Sequence, residues 1–169
     1  AIDHALAARD WEAAADLLAK AAPQYGKAGE MLTLRAWLEA LPEEILLRGP
    51  ELFGNYFFAL VSTDRLDDAG ALLDRLDSTV GKDPVDRARD TALRSVLESN
   101  RGNLVRSTEL ALEALPLLPA SEAELRGRLN TNLGIAYWSV GRFEQAEALL
   151  WEGYRDATKA GISYVAMTA

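Results

Sequence analysis

The 169-residue chain contains no cysteine, a single histidine and only 8% aromatic residues. Without cysteine there is neither a disulfide framework nor a thiolate metal site, a composition that fits a reducing compartment and leads us to expect a cytoplasmic protein. Catalysis or metal binding needs several converging polar side chains, but His4 has only Asp3 beside it. We therefore predict no enzyme activity, no metal and no cofactor.

Basic residues are also scarce, with 18 Lys and Arg against 26 Asp and Glu and a net charge of −8. Nucleic-acid affinity depends on basic side chains that neutralise phosphates, so this balance predicts no direct nucleic-acid partner. No apolar run is long enough to cross a bilayer, and the first eight residues lack the pattern of a signal peptide. We expect no membrane partner either.

Apolar residues make up 49% of the chain, and most are alanine and leucine, which favour helix. One short phrase recurs four times: a turn, then an aromatic residue or leucine, then a small residue three positions later. The copies are Arg9-Asp10-Trp11 with Ala14, Asp64-Arg65-Leu66 with Ala69, Gly102-Asn103-Leu104 with Ser107, and Gly141-Arg142-Phe143 with Ala146.

After each phrase the apolar residues fall three and four positions apart, which predicts the second helix of a helix pair. We expect the small residue to allow close approach of the two helices, and the aromatic residue or leucine to plug the hole at the turn. The predicted first helices cover residues 2–8, 51–63, 84–100 and 121–140. Ser121 with Glu124 resembles a capping box, and Asp83 precedes Pro84 at a helix start. Breakers separate the elements at Pro42, Gly49-Pro50, Gly81, Pro116, Pro119 and Gly161.

The first and second copies of the phrase lie farther apart than the later copies do. This longer spacing predicts an inserted helical hairpin over residues 30–49, in which Trp37 is a core residue. We predict a single domain, residues 1–169, with repeats over 1–29, 51–80, 84–118 and 121–161. The chain begins without methionine and ends as a new apolar pattern starts at Ile162, Tyr164 and Val165, so we expect a segment of a longer protein.

The fourth repeat, from Asn132-Leu133-Gly134-Ile135-Ala136-Tyr137 through Gly141, Phe143 and Ala146, resembles the tetratricopeptide consensus. The other three copies are degenerate, and the register of the third is uncertain by one residue. The resemblance implies an all-α fold, a right-handed superhelix of antiparallel helix pairs with the inserted hairpin.

The amino-terminal part carries a second resemblance, in the phrases His4-Ala5-Leu6-Ala7-Ala8-Arg9-Asp10-Trp11, Leu34-Arg35-Ala36-Trp37-Leu38-Glu39-Ala40-Leu41-Pro42 and Arg65-Leu66-Asp67-Asp68-Ala69. They resemble the helical sensor region of large ATP-dependent LuxR-family transcriptional regulators. The resemblance implies an ATPase domain and a helix-turn-helix domain in the parent protein as partners outside this chain. The chain itself has no glycine-rich phosphate loop, so we assign no ATPase activity to it.

First helices line the concave side of a tetratricopeptide superhelix, so the resemblance implies a groove with Arg128 and Trp138 as its leading pair. The full set of groove candidates is Phe58, Ser62, Arg89, Ser99, Arg128, Asn132, Ile135 and Trp138. A carboxylate clamp of the chaperone-binding type would place Asn at three positions that here hold Phe58, Val96 and Ile135. We do not expect that clamp.

Arginines cluster in the last two repeats, at Arg87, Arg89, Arg94, Arg101, Arg106, Arg126 and Arg128. One interpretation is pairing on helix faces with Asp86, Asp90, Glu98 and Glu124; the other is a site for a carboxylate or phosphate ligand.

Two functions remain open. The first is a regulatory module of a signal-responsive transcriptional activator, with a small-molecule effector or a protein or peptide in the concave groove. The alternative is a free-standing tetratricopeptide scaffold that binds a peptide or partner protein.

Overall fold

The computed structural model describes residues 1–77 and 83–161. In these residues the chain forms ten α-helices and no strand, as the composition predicts. Gly81 and the apolar residues Ile162, Tyr164 and Val165 lie outside the described residues. The helices are α1 (Ile2–Ala7), α2 (Trp11–Ala28), α3 (Met31–Glu39), α4 (Glu43–Leu46), α5 (Pro50–Ser62), α6 (Leu66–Asp77), α7 (Pro84–Asn100), α8 (Leu104–Ala114), α9 (Ala123–Ser139) and α10 (Phe143–Ala160).

The four recurring phrases form four turns of the same geometry. Their first residues, Arg9, Asp64, Gly102 and Gly141, all have a positive φ, between 55° and 80°. At each turn the next amide donates to the carbonyl five residues earlier, as Asn103 does to Glu98 and Arg142 to Tyr137. This is the left-handed ending of a helix that satisfies its last carbonyl groups. Glycine adopts it without strain in two of the turns.

Three helix starts follow local capping signals. Asp10 Oδ1 accepts from the amide of Ala13 at 3.2 Å, and Asn103 Oδ1 accepts from that of Arg106 at 3.4 Å. Asp83 caps α7 by accepting from the amide of Val85 at 2.8 Å, with Pro84 in the first turn.

The predicted capping box at Ser121 is wrong. The residue that caps α9 is Glu122, which makes no side-chain capping bond, and its carboxylate instead accepts from Arg89. Glu122 therefore forms an ion pair with α7 and leaves the start of α9 without a side-chain cap.

The small residue of every phrase is buried, as predicted: Ala14, Ala69 and Ala146 are fully buried and Ser107 nearly so. The predicted plug is wrong in two of the four copies, because Leu104 is 49% exposed and Phe143 is 55% exposed. These turns are closed by backbone hydrogen bonds and need no side chain to fill them.

The predicted inserted segment forms α3 and the short helix α4. Their buried side chains, Leu34, Leu38, Leu41, Ile45 and Leu46, join the core formed by Ala14, Leu18 and Ala22 of α2. Trp37 lies at the edge of this core and is only partly buried. Its ring packs edge-to-face on Tyr25, 5.0 Å between centroids, while its indole N–H donates to Asp3 at 2.7 Å. Trp37 is therefore an edge residue with a polar partner, where we had predicted a core position.

The chain divides into two compact units, Ala1–Leu72 and Leu73–Ala169. The first contains α1 to α5 and the start of α6, and the second contains the hairpins α7–α8 and α9–α10. A single domain and a right-handed superhelix therefore stay predictions.

Candidate functional site

The hairpin α9–α10 is held together by close backbone approach. A Cβ placed on Gly127 would lie 2.9 Å from the backbone nitrogen of Ala157, and one on Gly153 would lie 3.1 Å from that of Thr131. A Cβ on Gly134 would meet the side chain of Leu150 at 2.6 Å. These contacts run in opposite directions along the two helices, so α9 and α10 are antiparallel. At Gly127 a Cβ would press directly on the backbone of α10, and at Gly153 and Gly134 the neighbouring atoms would have to shift. This close approach fixes which faces of the helices are turned outward.

The predicted groove face of α9 carries Arg128, Asn132 and Ile135. Arg128 pairs with Glu124 one turn earlier, at 2.9 Å, and burial lowers the pKa of its guanidinium, although Glu124 acts in the opposite direction. Asn132 is partly buried, and Ile135 is 48% exposed.

Arg89 of α7 lies between two carboxylates. Its guanidinium contacts Glu122 at 2.5 Å and Asp86 at 2.8 Å. The hydrogen bonds that Arg89 donates to Glu122 raise the pKa of its guanidinium, and burial only partly opposes this effect. Its donors are thus largely used within the protein.

The arginine cluster forms ion pairs with all four carboxylates that the first interpretation names, Asp86, Asp90, Glu98 and Glu124. Arg94 pairs with Asp90 at 2.9 Å, and Arg101 pairs with Glu98 at 3.1 Å. Arg126 lies 3.5 Å from Asp156 and also donates to the carbonyl groups of Leu115 and Leu118, just after α8. The helix-pairing interpretation is confirmed for these residues.

The remaining groove candidates have different environments. Phe58 is only 9% exposed and packs edge-to-face on Phe57, so little of its ring is left for a ligand. Ser62 is exposed and Ser99 is partly buried. Phe58 and Ser62 belong to the first unit and the other six candidates to the second. A continuous groove across all eight residues stays a prediction.

Trp138 contributes to a second surface that the sequence analysis missed. Its ring packs edge-to-face on Phe143, 5.0 Å between centroids, and Trp151 packs in the same way on Tyr154 at 5.8 Å. The four rings surround an open hollow of about 550 Å³, which we call the aromatic hollow. It is lined by Trp138, Phe143, Glu147, Leu150, Trp151 and Tyr154.

A sequence signal for this hollow exists. Residues 143, 147, 150, 151 and 154 fall three and four positions apart, so they share one side of α10. The sequence alone predicts packing of Phe143 at its turn. What the spacing does not reveal is that α9 contacts the neighbouring stripe, Ala146, Gly153 and Ala157, which is fully or nearly fully buried.

In the part of the chain that the structure describes, no group of three or more His, Cys, Asp or Glu residues can hold a metal ion. Within the same ranges, no helix is both long and apolar enough to cross a lipid bilayer.

The chain is similar to part of the HTH-type transcriptional regulator MalT from several bacteria. It is 35% identical to the Yersinia enterocolitica protein over 124 residues, 70% of this chain, and 34% identical to the Serratia proteamaculans protein over 126 residues, 72% of this chain. The matched segment makes up 14% of the length of each relative. This similarity confirms the predicted likeness to a MalT-like region of a LuxR-family regulator, whereas the tetratricopeptide assignment stays a prediction. No protein-family profile and no solved structure matches the chain.

Proposed function

We propose that this chain is a regulatory segment of a signal-responsive transcriptional activator, and that it binds an effector or partner protein and catalyses no reaction. The observation that carries the proposal is the 34–35% identity to HTH-type transcriptional regulators over about 70% of the chain. In this proposal the parent protein supplies an ATPase domain and a helix-turn-helix domain. The net charge of −8 supports leaving DNA contact to another part of the protein.

The groove face of α9 supports effector or partner binding by this segment. Arg128, Asn132 and Ile135 lie on one side of a helix whose opposite faces are buried, so a ligand there meets a rigid surface. A ligand regulates only if it binds one state of the protein more tightly than another. We propose that a ligand on this face shifts the parent protein toward its active state.

The test uses the full-length parent protein with a reporter gene driven by its own promoter. We expect Arg128→Ala with Ile135→Ala to abolish the response to the inducing signal, because the double variant removes a charged side chain and an accessible apolar side chain of this face and leaves Trp138 in place. Arg106→Ala is the matched control, since Arg106 is 54% exposed and pairs with Glu109 of its own helix. It should respond as the wild type does.

Circular dichroism and the melting temperature separate a regulatory loss from unfolding. The proposal requires both to stay near wild-type values in the double variant. A double variant that responds normally would refute the groove assignment, and one that unfolds would show that these side chains are structural. If deletion of residues 1–161 leaves induction intact, the regulatory role itself is wrong.

A further inference from the structure

The aromatic hollow exposes more ring surface than the packing of its hairpin requires. Trp138 and Trp151 are each 58% exposed, Phe143 is 55% exposed and Tyr154 is 42% exposed. In each of the two ring pairs the planes are nearly perpendicular, at 70° and 87°. One ring of each pair therefore presents a face where the other presents an edge. A cluster of exposed aromatic side chains marks a binding site more often than an ordinary polar surface does.

A carboxylate without a partner lies in the same hollow. Glu147 makes no hydrogen bond or ion pair with any of the described residues, although it lines the hollow between Phe143 and Trp151. Two other carboxylates of α10 do have partners, since Glu152 contacts Arg155 and Asp156 contacts Arg126. Glu144, like Glu147, pairs with none of the described residues, but it lies outside the hollow. The hollow therefore carries an uncompensated negative charge beside aromatic rings.

Packing against a further helix pair does not account for two of the four rings, those of Phe143 and Trp151. The preceding hairpin, α7–α8, is already covered in part by α9. In its second helix, Leu104 and Leu112 precede Phe143 and Trp151 by the 39-residue repeat. They remain 49% and 51% exposed even with α9 in place. A following pair packed in the same way would leave Phe143 and Trp151 open to solvent.

We infer that the aromatic hollow binds an organic cation, a quaternary or alkylated ammonium group, with Glu147 as its counter-charge. Aromatic faces attract such cations through the ring quadrupole, while the alkyl groups of the cation bury apolar surface on the rings. Metal ions are a poor fit, because Ca²⁺ and Mg²⁺ require several oxygen ligands and the hollow offers one carboxylate. Its volume of about 550 Å³ falls in the range of small-molecule sites.

The site can be tested on the 169-residue chain without reference to transcription. Choline is the probe, and 3,3-dimethyl-1-butanol, which has the same shape without the charge, is its neutral counterpart. The four indole N–H signals in an NMR titration report on the two units separately. We expect choline to shift the signals of Trp138 and Trp151 saturably, and those of Trp11 and Trp37 to stay in place.

The charge requirement gives the decisive comparison. We expect choline to bind about fivefold more tightly than the neutral alcohol. Glu147→Gln should lower the affinity for choline by about fivefold and leave the affinity for the alcohol unchanged. Glu144→Gln is the matched control, because Glu144 is exposed one turn earlier on α10 and lies outside the hollow. It should change the choline affinity less than twofold.

Trp151→Ala tests the aromatic part, and we expect it to abolish the saturable shifts while the helix content stays the same. Equal binding of choline and the alcohol, or an unchanged affinity in Glu147→Gln, would overturn the proposal and leave only an apolar surface. Saturation at Trp11 or Trp37 instead would place the cation elsewhere and refute this site. Because binding is measured directly, failure here leaves the regulatory proposal standing, and the reverse also holds.

Discussion

The hairpins α7–α8 and α9–α10 bring their helices together through different small residues. In α7–α8, Ser95 donates to the backbone carbonyl of Ser107 at 2.8 Å, and Ser107 donates to that of Ser95 at 2.9 Å. In α9–α10 the crossing uses Gly127 and Gly153, and a Cβ on either would press on the opposite backbone. One hairpin links its helices by side-chain hydrogen bonds, and the other removes the side chains. The same close approach therefore has two chemical solutions.

The outer faces of the two hairpins differ as well. Phe143 and Trp151 of α10 stand where α8 has Leu104 and Leu112, and all four side chains are between 49% and 58% exposed. Larger aromatic rings therefore replace leucines without becoming better buried. Since the hairpin gains little stability from rings left in water, the difference points to binding as the role of the α10 face.

The largest expected effect comes from filling the glycine crossing. Gly127→Ala should lower the free energy of unfolding by about 2 kcal/mol, because the new methyl group would push α10 away and this overpacking outweighs the better helix propensity of alanine. Urea denaturation followed by circular dichroism measures the change.

Gly54→Ala in α5 is the control for that experiment, since a Cβ at Gly54 would meet no atom within 4 Å. It should raise stability by roughly 0.5–1 kcal/mol, the ordinary gain of alanine over glycine in a helix. Stabilisation by both variants would mean that the two backbones of α9 and α10 are not in close contact.

A smaller effect is expected at the serine crossing. Ser95→Ala should cost about 1 kcal/mol, because it removes one buried hydrogen bond to a carbonyl group that keeps its helical partner. The same denaturation experiment checks it, and Ser107→Ala should behave alike. We assume that alanine would also let α7 and α8 approach this closely, and that the serines only add hydrogen bonds. A loss of unfolding free energy comparable to that of Gly127→Ala would contradict this assumption.

The smallest effects are expected on the outer faces. Trp151→Ala and Leu112→Ala should each change the free energy of unfolding by about 0.5 kcal/mol or less, as is usual for exposed side chains. Thermal melts of the two variants against the wild type provide the measurement. A much larger loss in Trp151→Ala alone would assign the ring to packing and weaken the case for a binding surface.

Most helix boundaries were predictable because their signals are local. Asp83-Pro84 starts α7, and the phrases at Gly102 and Gly141 end one helix and start the next within three residues. The small residues Ala14 and Ala146 were predictable for the same reason, since a helix crossing needs a small side chain at a repeated position. Ser121 shows the limit: its local capping signal lost to the ion pair that Glu122 makes with Arg89 on another helix.

The candidate site was less predictable than the fold. Trp138 was chosen from the sequence as part of a groove with Arg128, ten residues earlier on the same helix. The structure places its ring against Phe143 of α10 and pairs Arg128 with Glu124. Which ring meets which depends on the side of α9 that faces α10, and that side is selected by the contacts of Gly127, Gly134 and Gly153.

The sequence by itself determined that the chain is helical, where its turns lie and which small residues are buried. Helix propensity, capping and the spacing of apolar residues depend on residues close together in the sequence. It also determined the acidic balance that argues against direct contact with nucleic acid. Only the tertiary structure decided that Glu147, which pairs with none of the described residues, lies among four rings from two helices. It also decided that Arg89 and Arg126 bind carboxylates distant in sequence, Glu122 and Asp156. These features depend on how helices distant in sequence meet, and no local pattern specifies that geometry.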